Sequence, residues 1–375
     1  MDVGVPREKR DFEKRVGLTP TGCHVLFTHG HRVYVETGAG AGSGFSDRAY
    51  QEAGAEIVFS ALEAYGRASM VLKVTPLLAQ ELPLLNDGQI VLCFHHLAVA
   101  EQRAIDALTD KKVTAIAYET IQRPDGTLPV LTPMSQVAGR MAPQIAARFL
   151  ESPWGHGILL SGVPGVPAAD VCILVGGVVG RHAARAFHGL GARVVVLDQD
   201  PERLEVVQER VGADITTMVA NEHNLRKAVS FADVLVGAVL IPGARAPIVV
   251  TRTMVKTMRA RSVVIDFSID QGGCVETSRP TTPGDPVFIE EGIIHYCVPN
   301  VPGVVPRTST HALTNVTLPF IEEMADQGLY PALRENGTLR AGVNLLEGRL
   351  VNPRVAESFG LEALEIGAML QGGPQ

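Results

Sequence analysis

The 375-residue sequence lacks the features that mark several classes of protein. No apolar run approaches the roughly 20 residues that a membrane-spanning helix needs, and the charged stretch 1–14 has no apolar core of the kind found in signal peptides. The five cysteines are widely spaced, without a CxxC pair. This favours buried free thiols in a reducing compartment over a disulfide framework or a zinc site. We therefore expect a cytoplasmic protein without a metal site.

The sequence also lacks long runs of charge of one sign. The 33 basic and 40 acidic side chains give a net charge of -7, and neither sign forms a long run. Because phosphate binding needs clustered lysine and arginine, we expect no nucleic acid and no membrane surface as a main partner. A small anionic ligand needs only one or two local cations. The apolar share of 46% and charged share of 19% are typical of a globular protein with a large core.

Short β-branched and apolar runs alternate with stretches of helical spacing. The residues 180–190 and 202–211 have helical spacing, and each follows a run that reads as a strand. Strand and helix in alternation indicate parallel sheets with helices on both faces, so we predict an α/β fold. The predicted strands are 32–35, 71–74, 90–94, 113–117, 171–175, 193–197, 234–239 and 262–267.

The chain is too long for one compact core, so two domains are expected. A predicted long helix over 134–150 precedes a Gly/Pro-rich stretch at 152–167. A second loop at 298–306 contains three prolines before a helix resumes over 309–327. These breaks predict a central domain inserted in a split one. The expected boundaries are 1–128 plus 306–375 for the split domain and 129–305 for the central domain.

The central domain contains a glycine turn typical of dinucleotide binding. Gly177 and Gly180 lie between a predicted strand and a predicted helix, as the second and third glycines of a G-x-G-x-x-G fingerprint. In such a unit the helix N-terminus binds the pyrophosphate, and an acidic residue after the next strand accepts hydrogen bonds from the ribose. Asp198 is that residue here, and its carboxylate would repel a 2′-phosphate. The sequence therefore predicts a Rossmann domain that binds NAD rather than NADP.

The first glycine of the fingerprint is replaced by Val175. That glycine normally permits the tight turn, so either Val175 distorts the turn or Gly176 absorbs the strain. From the glycines alone, the stretch could also be an ordinary strand-to-helix connection. Asp198 and the strand–helix–strand context favour the dinucleotide site.

Motifs along the whole chain follow the order and spacing found in one enzyme family. They include Arg15-Val16-Gly17-Leu18-Thr19-Pro20, Ala117-Tyr118-Glu119-Thr120, Pro133-Met134-Ser135, Ile269-Asp270-Gln271-Gly272-Gly273-Cys274 and Ser278-Arg279-Pro280-Thr281-Thr282. On these motifs the chain resembles the alanine dehydrogenases, relatives of the NAD-binding part of nicotinamide nucleotide transhydrogenase. The resemblance implies two Rossmann-like domains, a split substrate domain, a homohexamer and reversible NAD-linked oxidative deamination of L-alanine to pyruvate.

The resemblance also implies roles for individual residues. Arg15 would bind the substrate carboxylate and His96 would be the acid/base, while Asp270 and Asn300 would lie at the nicotinamide end. Each has an ordinary alternative, because Arg15 could be a surface arginine, His96 a core histidine and Asp270 a turn cap. The expected cofactor contacts are Ser135, Gly177, Val178, Val179, Gly180, Asp198, Arg203, Val239, Leu240 and Asp270.

The sequence departs from the family pattern near the expected substrate site. Where the family has K-V-K-E-P, with a second lysine that binds the substrate carboxylate, this chain has Lys73-Val74-Thr75-Pro76. Thr75 is thus expected at the substrate without a charge, and Gln136 replaces a common glutamate. We expect an NAD-dependent oxidoreductase acting on a small amino acid or oxo acid that need not be alanine. The alternatives are an alanine dehydrogenase in which His95 or Lys73 replaces the cation, a non-catalytic NAD-binding protein, or a redox-neutral enzyme.

Overall fold

The computed structural model describes residues 1–239 and 245–372. The strands are β1 (Asp2–Val5), β2 (Arg32–Glu36), β3 (Glu56–Val58), β4 (Met70–Leu72), β5 (Ile90–Cys93), β6 (Thr114–Ala117), β7 (Asp170–Leu174), β8 (Arg193–Asp198), β9 (Thr216–Val219), β10 (Val234–Gly237), β11 (Val263–Asp266), β12 (Val287–Glu290), β13 (Ile293–Tyr296), β14 (Val343–Leu346) and β15 (Arg349–Leu350). Each strand predicted from the sequence corresponds to one of these, with both ends within two residues.

The α-helices are α1 (Pro20–Thr28), α2 (Asp47–Glu52), α3 (Ala61–Arg67), α4 (Gln102–Asp110), α5 (Leu131–Leu150), α6 (Val178–Gly189), α7 (Pro201–Val211), α8 (Glu222–Phe231), α9 (Arg252–Val255), α10 (Pro306–Gln327), α11 (Leu329–Glu335), α12 (Gly337–Ala341), α13 (Pro353–Ser358) and α14 (Ile366–Gly372). The predicted helices are confirmed, although several begin earlier than expected. Both α7 and α10 start on a proline, which the first turn tolerates because its N–H needs no helical partner.

The chain divides into two compact units, Met1–Met134 with Val305–Gln375 and Ser135–Val304. The first contains a sheet in the order β15-β14-β6-β5-β4-β1-β2-β3 and the second a sheet in the order β12-β13-β11-β10-β7-β8-β9. The predicted parallel sheets are confirmed, and antiparallel strands extend each of them at one edge. Strand β14 pairs antiparallel with β6 and β15, and β12 pairs antiparallel with β13. The connections from β12 to β13 and from β14 to β15 are short, which only antiparallel pairing permits.

Both faces of the first sheet are buried. Met70 and Leu72 belong to one apolar cluster, which includes Leu26 of α1 and Leu313 of α10, whereas Val71 belongs to another cluster with Ile105 of α4. Successive strand residues point to opposite faces, so this alternation places helices on both sides, as predicted. In the second unit, Leu235 of β10 packs in a cluster with Val229 of α8.

The cysteine prediction is confirmed, since all five thiols are free and buried. Within residues 1–239 and 245–372, no helix combines the length and apolar character needed to cross a bilayer. The same residues contain no group of three or more histidine, cysteine or acidic side chains placed to hold a metal ion.

Candidate functional site

The glycine turn of the second unit joins β7 to α6, and its backbone angles show which residue is strained. Val175 has φ of 76°, whereas Gly176 is not among the positive-φ residues. A β-branched residue seldom adopts the left-handed region, because its Cβ substituents crowd the backbone. Of the two alternatives left open by the sequence, the second does not hold: Gly176 does not absorb the strain, and Val175 itself adopts the left-handed conformation.

The other two fingerprint glycines have different surroundings. A Cβ on Gly180 would lie 1.9 Å from the Val175 carbonyl oxygen, so only glycine allows α6 to approach the turn this closely. At Gly177, the residue preceding α6, a Cβ would meet nothing nearer than Val175 Cγ1 at 3.8 Å. The backbone at Gly177 is thus open to a ligand, beside the unpaired N–H groups of a helix N-terminus. This arrangement fits a dinucleotide pyrophosphate.

Asp198 ends β8 and connects to this turn. The residue is 4% exposed, and its carboxylate accepts hydrogen bonds from the backbone N–H of Gly176 at 2.8 Å and of Asp200 at 3.0 Å. Arg203 Nη1 lies 4.0 Å from the carboxylate. Arg193 forms an ion pair with Asp170 at 2.7 Å, beside the start of β7. Because Arg193 is at the opposite end of the strand from Asp198, it cannot offset the negative charge that disfavours a 2′-phosphate.

Three of the remaining predicted cofactor residues follow the carboxyl ends of the neighbouring strands β7 and β10, and Ser135 belongs to α5. Val178 and Val179 are partly exposed in the first turn of α6, Ser135 is partly exposed in α5, and Val239 is buried just after β10. Leu240 lies outside the described residues.

Asp270 and Asn300 are neighbours in the second unit. Asp270 is exposed in the 3₁₀ turn Ile269–Gln271 after β11, and its Oδ2 accepts the backbone N–H of Asn300 at 3.2 Å. The turn is held by Asp266, which sequence analysis missed. Its buried carboxylate accepts backbone N–H bonds from Ser268, Cys274 and Val275. The feature of the sequence that could have identified Asp266 is its position as an acidic residue at the end of an apolar strand.

In the first unit, chemically active side chains gather at the carboxyl ends of adjacent parallel strands. Strands β6, β5, β4 and β1 are neighbours in that order. The segments that follow them contain Glu119, His96, Thr75 and Glu8 respectively. Ligands of open α/β sheets bind at this edge, because loops from several strands converge there.

Arg15 is not a surface arginine. It is 3% exposed and donates from Nε and Nη2 to the two carboxylate oxygens of Glu13, at 2.8 and 2.7 Å, while Nη1 lies 3.4 Å from Met134 Sδ. A two-point ion pair of this kind fixes the guanidinium plane. Glu13 therefore orients the predicted carboxylate-binding cation, a role that sequence reasoning missed.

Lys73 does not replace the missing family lysine. Its side chain is fully buried, and its Nζ lies 3.0 Å from Glu8 and 2.9 Å from Glu81. Although burial opposes the charged form, the two carboxylates keep the pKa of Lys73 above its usual value. Thr75 is also buried and donates its hydroxyl hydrogen bond to Glu8. The ammonium is thus committed to structural carboxylates.

The two consecutive histidines after β5 have opposite surroundings. His95 is 2% exposed, its Nε2 lies 3.0 Å from the Val91 carbonyl oxygen, and burial lowers its pKa, so it is not a replacement cation. His96 has a side chain that is 53% exposed, with φ of 49° and its backbone N–H bonded to Glu119 at 2.6 Å. His96 is therefore not a core histidine, and its ring is accessible to a ligand.

Two family models match this chain, one over its N-terminal part and one over its C-terminal part. Residues 4–138 match the family model "Alanine dehydrogenase/PNT, N-terminal domain", and residues 142–353 match "Alanine dehydrogenase/PNT, C-terminal domain". The chain belongs to this family. The resemblance found in the sequence is thereby confirmed, and family membership makes the chain an NAD-dependent oxidoreductase of the amino acid dehydrogenase type.

Individual members of the family are similar over nearly their whole length. Alanine dehydrogenase of Bacillus subtilis is 49% identical, with 99% of this chain and 98% of that protein aligned. The Halomonas elongata alanine dehydrogenase is 46% identical over 99% of this chain and all of that protein. A solved L-alanine dehydrogenase has a TM-score of 0.93 at 45% identity, covering 96% and 99% of the two chains. A transhydrogenase from Sinorhizobium meliloti has a TM-score of 0.79 at 26% identity, covering 94% and 99%.

Proposed function

We propose that this chain catalyses reversible NAD-linked oxidative deamination of a small L-amino acid to its 2-oxo acid. One observation supports it most: an accessible imidazole, His96, and a guanidinium oriented by a carboxylate, Arg15, come from the same unit of a chain whose family binds NAD. A cation for the substrate carboxylate and an acid/base near neutral pH are the groups that this reaction requires.

Each predicted residue has a role in this proposal. Arg15 binds the substrate carboxylate through charge-assisted hydrogen bonds. His96 accepts the proton that the substrate loses during oxidation. Bound NAD would supply the hydride acceptor. Asp270 and Asn300 bind near the nicotinamide end. The cofactor is held by the α6 N-terminus with Gly177, Val178, Val179 and Gly180, and by Ser135, Asp198, Arg203, Val239 and Leu240.

The same proposal gives each domain a task. Residues 1–128 and 306–375 form the substrate domain, and residues 129–305 form the NAD-binding domain. The position of Thr75 and His96 at one sheet edge, in the same unit as Arg15, favours the first assignment. The glycine turn with Asp198 favours the second.

We also propose that the preferred substrate differs from alanine because of Thr75. A hydroxyl already bonded to Glu8 gives no charge-assisted contact to a substrate carboxylate. Neither Lys73 nor His95 compensates, since the first is buried between two carboxylates and the second is buried and uncharged. Arg15 is then the main carboxylate-binding cation, so a substrate must gain affinity from contacts of its side chain.

The test is a screen of L-amino acids with NAD and NADP, and of 2-oxo acids with ammonia and NADH, followed at the nicotinamide absorbance. We expect turnover with NAD, little with NADP, and a better substrate than alanine. His96→Gln should lower kcat by at least ~100-fold, whereas the exposed His223→Gln should leave it unchanged. Absence of turnover with every pair would overturn the proposed reaction, and alanine as the best substrate would overturn the specificity.

We further propose a cytoplasmic homo-oligomer, a hexamer by resemblance to the family. All five thiols are free and buried, which is compatible with a reducing compartment. Light scattering coupled to size exclusion should give a mass near six times the 40.0 kDa of the chain. A monomer or dimer mass would contradict the hexamer.

A further inference from the structure

Glu119 is the closest carboxylate to His96 that the structure identifies. It follows β6, whose last residue Ala117 pairs with Cys93 of β5, and His96 follows β5. The Oε1 of Glu119 accepts the backbone N–H of His96 at 2.6 Å and lies 3.9 Å from the imidazole Nδ1. One carboxylate oxygen thus contacts the backbone of His96 and faces its ring.

The backbone of His96 needs such a partner. Its φ of 49° is in the left-handed region, which a non-glycine residue adopts at a cost. Phe94 stacks against the ring, with centroids 6.2 Å apart and an interplanar angle of 16°. The backbone hydrogen bond that His96 donates to Glu119 and the stacked Phe94 ring therefore fix the position from which the imidazole projects.

Glu119 differs from the other carboxylates at these strand ends. Both oxygens of Glu8, of Glu13 and of Asp266 accept hydrogen bonds. The Oε2 of Glu119 is buried and has no hydrogen-bond partner among the residues that the structure describes. A neutral amide would hold the His96 backbone equally well and avoid burying a charge. A charge at this position therefore calls for a further explanation.

We propose that Glu119 is a positioning residue for His96 whose charge stabilises the imidazolium formed during the reaction. When a ring nitrogen of His96 takes a proton from the substrate, the ring becomes cationic beside the carboxylate. The attraction strengthens because the pair is partly shielded from water. The proton moves from the substrate to the ring, and none passes to Glu119. This inference rests on the proposed function, in which His96 is the acid/base.

The experiment compares Glu119→Gln, Glu119→Ala and Glu101→Gln in the intact protein, assayed with the best substrate of the screen. Gln keeps an acceptor for the His96 N–H and loses the charge. We expect Glu119→Gln to lower kcat by ~100-fold, with KM for NAD and for the amino acid within about threefold of the wild type. Glu101 is an exposed acid paired with Arg103, so Glu101→Gln should behave as the wild type.

The outcomes separate the inference from the proposed function. If Glu119→Gln keeps wild-type kcat and only Glu119→Ala loses it, the role is structural and the inference is wrong. A wild-type protein inactive on the whole screen would remove the proposed function, and this inference with it. Thermal melting of each variant shows whether a loss of kcat reflects unfolding. An unstable Glu119→Gln is replaced by Glu119→Asp, which keeps the charge and should retain more activity than Glu119→Ala.

Discussion

At the scale of single residues, Val175 is where the sequence conflicts most with its backbone. A left-handed conformation costs a β-branched residue about 1–2 kcal/mol, and φ of 76° places Val175 there. Val175→Gly removes this cost but adds freedom to the unfolded chain and loses the partly buried side chain. Val175→Ala loses the side chain and keeps the strain. We expect the glycine variant to be about 1 kcal/mol more stable than the alanine variant in urea unfolding. Equal stabilities would show that the turn relaxes around alanine.

Thr75 gives a prediction about substrate binding. A lysine in its place would supply a charge-assisted hydrogen bond, worth ~1.5–3 kcal/mol against about half that for a neutral one. We expect Thr75→Lys to lower KM for alanine by roughly tenfold, while Thr75→Ser, which keeps the hydroxyl bonded to Glu8, changes it little. Steady-state kinetics at fixed NAD measure both variants. No gain in Thr75→Lys would mean that alanine is already the native substrate.

The sequence predicted some of the candidate site residues, but not the side chains that contact and orient them. The glycine turn and Asp198 follow from local spacing, and Arg15 and His96 from resemblance. Glu119 could not be found in this way, because its contact with His96 depends on the pairing of β5 with β6. The burial of Lys73 between Glu8 and Glu81 likewise depends on segments far apart in the chain.

At the scale of elements, α6 contains two glycines with opposite expectations. A Cβ on Gly180 would overlap the Val175 carbonyl oxygen, whereas a Cβ on Gly189 meets nothing within 4 Å. Gly180→Ala should therefore destabilise the fold by about 1–3 kcal/mol and weaken NADH binding by displacing the helix N-terminus. Gly189→Ala should stabilise it by up to about 1 kcal/mol. Urea unfolding and NADH fluorescence titration measure the pair, and a stable Gly180→Ala with wild-type NADH affinity would contradict the packing argument.

The elements themselves were predictable to different degrees. Central strands such as β5 and β10 are continuous apolar runs, and such runs identify buried parallel strands. The edge strands β9 and β12 are partly exposed and β15 has two residues, so local pattern alone does not separate them from loops. Their pairing with a neighbouring strand defines them.

At the scale of the whole molecule, buried histidines make stability depend on pH. Burial lowers the pKa of His95 and of His295 below the usual 6.5. Above pH 6.5 both are neutral in the folded and the unfolded chain, so they contribute nothing there. As pH falls below 6.5 the unfolded chain takes up protons that the folded one excludes, and stability decreases. Each histidine can remove up to about 1.4 kcal/mol per pH unit in this range.

Urea unfolding at pH 7.5 and 5.5 tests this expectation. The wild type should lose stability at the lower pH, and His95→Leu should lose less because one histidine with a lowered pKa is absent. The exposed His223→Gln is the matched control and should follow the wild type. Carboxylates with a lowered pKa, such as Asp326 beside its two histidines, act only at lower pH. A flat profile between the two pH values would contradict the prediction.

The buried cysteines allow the opening of each compact unit to be measured by chemical labelling. Burial raises the pKa of Cys172 and of Cys297 to about 12, and the pKa values of Cys23, Cys93 and Cys274 also lie above their usual range. Almost no thiolate then exists at neutral pH, so an alkylating reagent reacts only when the chain opens. Cys23 and Cys93 belong to one unit and the other three to the second. Peptide-resolved labelling rates should therefore time the opening of each unit separately, and equal rates would mean that the two open as one.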